Sequence, residues 1–255
     1  MSVCRIIGIG NELLIGDVVN TNASYIAKFL KRNGYFVDRI ICVRDDCKAI
    51  ADVILEAKRE NVNYLFTTGG LGPTYDDITI ESVAKALNLE LYVDEEIVLK
   101  LKARAAARGH LFNEASRKMA VLPKGCIIIP NEKGAAPGSD IISDGLRIFV
   151  MPGVPIEMKG MIKNYIPKVL PNLGRYYQKK IIIDSIGESG LAQSIKEIAL
   201  KYNDIYVKSH PRLRRGKYYI ILHIYVYNVL SDKAVDHVKE AVKIISDRFR
   251  QYVKS

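Results

Sequence analysis

Residues Tyr64 to Leu87 read YLFTTGGLGPTYDDITIESVAKAL, a strand, a glycine-rich turn and a helix in direct succession. Tyr64 to Thr68 is short, apolar and rich in β-branched or aromatic side chains, as a buried strand requires. Ile80, Val83, Ala84 and Leu87 recur at i, i+3, i+4 and i+7, so they share one stripe of a helix. Gly69, Gly70 and Gly72 lie between, where a strand ends and a helix begins. Open α/β sheets bind ligands at that edge, because free N–H groups and the helix N-terminus offer positive potential to an anion.

The same alternation precedes this unit. Val3 to Ile9 is an apolar run whose only charge is Arg5, and Ala23, Ile26, Ala27 and Leu30 form the next helical stripe. Asn20, Thr21 and Asn22 are ready N-caps, and Gly34 is a stop. Val37 to Val43 returns as a strand, and Ile50, Val53, Ile54 and Ala57 stripe a helix behind Asp45 and Asp46. Strands alternating with one-faced helices predict an α/β domain with a mostly parallel sheet sandwiched by helices.

Beyond Leu91 the pattern predicts helices over Asp94–Arg108 and Asn113–Val121 and a strand over Cys126–Ile129. A hairpin, Asp140–Ile142 with Leu146–Met151, follows around an Asp-Gly turn. Pro152-Gly153 then opens a helix striped by Met158, Met161, Ile162 and Tyr165. Pro167, Pro171 and Gly174 mark a boundary, giving a first domain over 1–172 and a small α+β domain over 176–255. In the second, strands at Lys180–Ile186, Ile205–Val207 and Tyr218–Tyr227 combine with helices at Ser189–Tyr202 and Ser231–Val253, a βαββα order. The strand Tyr218–Tyr227 is mostly apolar on both faces, which predicts a homodimer or higher homo-oligomer.

Composition sets the frame for these motifs. The chain has 255 residues, 49% hydrophobic and 26% charged, so it is neither disordered nor collagenous. No apolar run approaches the ~20 residues of a membrane span and no signal sequence opens the chain, which predicts a cytoplasmic protein without a membrane partner. The net charge of +10 attracts polyanions of any kind. Cys4, Cys42, Cys47 and Cys126 show no metal-binding spacing and read as small core residues in a reducing compartment.

The chemistry concentrates on Thr67 to Thr79. The glycines let the backbone approach an anion, and Thr67, Thr68 and Thr74 add hydroxyls. Asp76 and Asp77 repel a bare phosphate, so a phosphate here implies a bridging divalent metal ion, Mg²⁺ or similar. The bland reading is a turn with an aspartate cap, but three glycines and two carboxylates exceed what a cap needs. Gly8-Ile9-Gly10-Asn11-Glu12-Leu13 begins like a dinucleotide fingerprint and fails at its third glycine, where Leu13 stands. Its loop offers Glu12 and Asn20 to a ligand, or to a helix cap. Asp46 reads as a cap, whereas Asp45 and Asp77, taken to stand at adjacent strand ends, form a candidate carboxylate pair.

GNELLIGDVVNTN (Gly10 to Asn22), TTGGLGPTYDDIT, NEKGAAPG and MPGVPIEM together resemble the molybdopterin-binding domain superfamily. The nearer resemblance is to the competence/damage-inducible protein CinA family. It covers about the first 170 residues, and GESGLAQ extends it more weakly into the small domain. The C-terminal deamidase domain of full-length CinA proteins, which acts on nicotinamide mononucleotide, has no counterpart here. The resemblance implies metal-dependent hydrolysis of ADP-ribose to AMP and ribose 5-phosphate. Its alternatives are molybdopterin binding or adenylylation, or a non-catalytic nucleotide or pterin binder. By motif position it implies Asp77 and Asp45 as catalytic residues and, with Asp76, as metal ligands. Gly69, Gly70, Gly72, Thr74, Glu12, Asn20, Pro152 and Gly153 would bind the small-molecule ligand. Tyr75 departs from the basic residue that CinA-type sequences carry there.

A rival reading is nucleic-acid binding through Arg212, Arg214, Arg215 and Lys217 beside Tyr218. Such runs are more often solvated hairpin tips, and nucleic acid is the disfavoured partner.

Overall fold

The computed structural model describes residues 2–214, 216–229 and 232–254. The chain forms two compact units, residues 1–30 with 35–171 and residues 31–34 with 172–255. Among the described residues no helix is long and apolar enough to cross a membrane.

The first unit begins β1 (Val3–Ile9), α1 (Asn11–Leu14), α2 (Thr21–Arg32), β2 (Phe36–Val43), α3 (Cys47–Arg59), β3 (Tyr64–Thr68) and α4 (Thr79–Leu87). It continues through β4 (Leu91–Val93), α5 (Glu95–Ala107), α6 (Glu114–Lys118), β5 (Val121–Pro123) and β6 (Ile127–Ile129). It closes with β7 (Gly138–Ser143), β8 (Leu146–Met151), α7 (Pro155–Asn164) and α8 (Ile166–Val169). The main sheet has the order β2-β1-β3-β8-β7-β6. Its first four strands are parallel, and β7 and β6 run antiparallel at one edge. The fold is thus the mostly parallel α/β sheet that the alternation predicts.

The apolar stripes find their partners in this sheet. Ile50, Ile54 and Ala57 of α3 and Ile80, Val83 and Leu87 of α4 join Ile7, Ile9, Leu65, Ile148 and Val150 in one core. Each such Ile or Leu contributes roughly 1.5–3 kcal/mol on burial. Arg5, at 1% exposure, is the exception in β1. Its guanidinium donates to Asp38 and to Glu60, each at 2.5 Å, so the buried charge is paired. Asp46 caps α3 by accepting from Ala49 N at 2.8 Å, as its sequence position suggests.

Two expectations for this unit need correction. The strands β2 and β3 are not neighbours; β1 lies between them, so the loops bearing Asp45 and Asp77 flank β1. The helix expected over Asn113–Val121 is only α6, because Val121 already pairs with Val93 in the small β4–β5 sheet.

The second unit comprises β9 (Arg175–Asp184), α9 (Glu188–Lys201), β10 (Tyr206–Arg214), β11 (Lys217–Val229), α10 (Asp232–Arg248) and β12 (Val253–Lys254). Its antiparallel sheet has the order β10-β11-β9-β12. Ile220, Leu222, Ile224 and Val226 alternate into a core with Leu191, Ile198, Val238, Ala241 and Ile245. The opposite face carries Tyr225 stacked on Tyr206, with ring centroids 5.5 Å apart, and Tyr227 beside it. Aromatic packing across strands accounts for the second apolar face of β11. The final helix stops at Arg248 instead of Val253, because Val253 pairs with Ile183 as an extra edge strand. The basic run lies along β10, whose Arg214 pairs with Lys217 at the hairpin end. Arg215 and Ser231 lie outside the described residues.

Candidate functional site

The glycine loop is shaped by its neighbours. Gly69 N donates to Met151 O at 3.1 Å, and the buried Thr79 donates its Oγ1 to Gly69 O at 2.9 Å and its N–H to Gly70 O at 3.2 Å. Gly69 and Gly70 have φ of +117° and +66°, in the region that favours glycine. A side chain at Gly69 would strike the carbonyl of Ile9, and one at Gly70 would strike Thr79 Oγ1. The space that only glycine leaves at Gly70 is therefore filled by Thr79, not reserved for a ligand. Among the described residues, the amides of Gly70, Leu71 and Gly72 have no protein acceptor. They are the donors an anion would meet.

The carboxylates stand close to these amides. Asp77 Oδ2 accepts from Thr74 N at 2.8 Å and lies 2.6 Å from Thr74 Oγ1. Asp76 Oδ1 lies 2.5 Å from the same hydroxyl. A hydroxyl has one proton to donate, so it serves only one of the two carboxylates at a time. The hydrogen bond from Thr74 holds the Asp76 carboxyl below the usual range. Across the pocket, Asp45 Oδ2 accepts from Asn11 N at 2.9 Å. Burial pushes the Asp45 carboxyl up, and the negative charges of Glu12, Asp76 and Asp77 add to the shift against that hydrogen bond.

These groups line one pocket of about 430 Å³ at the carboxyl ends of the parallel strands. Glu12 follows β1, Asp45 follows β2, Gly69, Gly70, Gly72, Thr74, Asp76 and Asp77 follow β3, and Pro152 and Gly153 follow β8; all of them line it. Asn20 is not among the lining residues: its Oδ1 accepts from Ala23 N at 3.0 Å and caps α2. Thr67 and Thr68 are buried, and Thr68 Oγ1 donates to Pro152 O at 2.9 Å, so neither hydroxyl faces a ligand.

Further contributors escaped the sequence reading. Asn22 donates to Thr68 Oγ1 at 2.9 Å and to Gly153 O at 2.7 Å, fixing the turn that closes the pocket. Glu157 and the pair Ala135–Ala136 line the wall, and Asn131 Nδ2 joins them through Ala136 O and Glu157 Oε2, both at 2.7 Å. The signal was present in NEKGAAPG and MPGVPIEM, but nothing local in those segments says that they meet.

Among the described residues, no three His, Cys, Asp or Glu side chains form a ready-made metal cage. The donor set still suits Mg²⁺, which takes one or two protein carboxylates and completes its shell with phosphate oxygens and water.

Parallel strand ends, a glycine loop with free amides and a carboxylate-lined pocket define an α/β ligand-binding domain. Residues 5–172 match the family described as probable molybdopterin binding domain, and the chain belongs to that family. It is 42% identical over 223 residues to a protein of Pyrococcus abyssi, covering 84% of this chain and 86% of the relative. A protein of Metallosphaera sedula is 38% identical over 252 residues, covering 98% and 94% respectively. Among solved structures it is similar to CinA of Thermoplasma acidophilum, a protein described as of unknown function. That likeness has a TM-score of 0.61 at 35% identity, covering 66% of this chain and 98% of that one. The protein is CinA-like in its first unit.

Proposed function

We propose that the strand-end pocket binds a phosphate-bearing pterin, molybdopterin or its adenylylated form. The observation that carries this reading is the Gly70–Gly72 amides beside five carboxylates in one pocket. The amides would hold phosphate oxygens, the apolar turn of Pro152, Gly153 and Val154 would face the ring, and Glu12 or Glu157 would accept from its N–H groups. Membership of the molybdopterin-binding family supports the pterin in particular. A divalent cation, when bound with the phosphate, would neutralise charge that Asp45, Asp76 and Asp77 otherwise repel.

Hydrolysis of ADP-ribose, the principal expectation from the CinA resemblance, is a second reading. It draws on the same carboxylates and the same cation as pterin binding. Family membership supports pterin binding instead.

The test is a titration of purified protein with molybdopterin, followed by quenching of pterin fluorescence, with and without Mg²⁺. Saturable binding that Asp77→Asn weakens supports the proposal; no saturation with either metal state overturns it. AMP release from ADP-ribose that stops on adding chelator would instead establish the second reading.

A further inference from the structure

A larger cavity of about 540 Å³ lies beside α5, apart from the glycine loop. We propose that it is a second small-molecule site, which takes a ring-bearing organic anion. Its size is within the roughly 300–1,000 Å³ of small-molecule pockets. Ile97, Leu101 and Ile128 give it apolar walls, and the first two are buried. Lys100 and Arg104 of α5 and Arg108, the residue that ends the helix, also line it at intervals of four residues. Lys100 and Arg108 enter no salt bridge among the described residues.

One carboxylate, Glu132, lies at this cavity, where its Oε2 accepts from Asn164 at 3.3 Å. Three cations against one carboxylate leave the cavity positive. Apolar walls under a cationic stripe fit a flat ring with a phosphate, sulfonate or carboxylate at one end.

Arg104 ties this cavity to loop 131–137. It donates to Lys133 O at 3.0 Å and to Gly134 O, while its Nε is buried without an acceptor. Ala135 of the same loop lines both cavities, and Ala136 lines the strand-end pocket. The two sites thus share a wall but draw on different charged groups.

The full chain is titrated with 8-anilinonaphthalene-1-sulfonate and followed by fluorescence at low salt. One saturable site is expected. The double variant Lys100→Glu/Arg108→Glu, altered only at exposed side chains, should weaken it about tenfold or more, because like charges then face the probe. Leu101→Trp should fill the cavity and abolish binding, with circular dichroism checking that the variant is folded; the charge variant decides if it is not. Asp77→Asn should leave the probe's affinity unchanged, which separates this site from the pterin reading. Competition by 1-naphthyl phosphate and 1-naphthoate then tells a phosphate preference from a carboxylate one. Equal affinity in the wild type and the charge variant, or loss of binding in Asp77→Asn, would overturn the proposal.

Discussion

Asp77 carries two tasks that a substitution can separate. Its Oδ2 holds the Thr74 amide, and its charge faces the pocket. Asn retains an oxygen for the amide while removing the charge, so Asp77→Asn should melt within a few degrees of the wild type. Metal-dependent turnover, where found, should fall about 100-fold, as for loss of a partner to developing charge. A variant that turns over like the wild type would remove Asp77 from the chemistry. Gly70→Ala tests the shape of the loop. With φ at +66° and Thr79 Oγ1 in the way, the variant should lose about 1–3 kcal/mol in urea unfolding and weaken ligand binding through a displaced loop. Asp46→Ala, by contrast, should cost about 1 kcal/mol through its cap on α3 and leave the ligand untouched.

Within the elements, two titratable groups decide local stability. Arg5 in β1 is nearly inaccessible and depends on Asp38 and Glu60. Asp38→Asn leaves Glu60 in place, so we expect a loss of about 2–3 kcal/mol, below the ~3–5 kcal/mol of a fully broken buried pair. Chemical denaturation measures it, and no loss would mean that Glu60 alone satisfies the guanidinium. In β11, burial lowers His223 to about 4, with the positive charge of Lys180 adding to the effect. The folded state therefore prefers the neutral ring, which sits 2.6 Å from Gln178 Oε1. Its contribution to stability is present above the unfolded value near 6.5 and is lost as pH falls through about 4. The melting temperature of the second unit should drop over that window, and His223→Gln should flatten the profile. An unchanged profile would show that His223 titrates alike in both states.

For the molecule entire, charge and assembly are the measurable properties. The net charge of +10 and the exposed Arg212 and Arg214 on β10 should give sequence-blind binding to single-stranded nucleic acid at low salt. Counterion release makes such binding steeply salt-dependent, so it should vanish near about 150 mM salt. Anisotropy of a labelled oligonucleotide checks this. Binding that persists at that salt and is lost in Arg212→Ala/Arg214→Ala would make nucleic acid a genuine partner. Light scattering at micromolar concentration tests the expected homodimer, and a monomeric mass would remove it.

The strands and helices that carry the site were legible because burial writes itself into spacing. The stripes Ile50–Ile54–Ala57 and Ile80–Val83–Leu87 name their own core face, and the glycines at Gly69 and Gly70 mark a backbone that other residues cannot follow. Strand order was not legible, since hydrophobic spacing says which face is buried but not which strand lies alongside. Spacing alone therefore puts Asp45 and Asp77 at adjacent strand ends, although β1 runs between β2 and β3. Asn20 and Asn22 show the same limit at shorter range. Both suit a helix start, yet one closes the cap of α2 while the other reaches Gly153, distant in sequence. Local chemistry determined the elements, their caps and the glycine loop. Only the tertiary structure brought Glu157 and Ala136 to the pocket wall and set Arg104 against loop 131–137, because contacts between distant segments depend on how the chain packs.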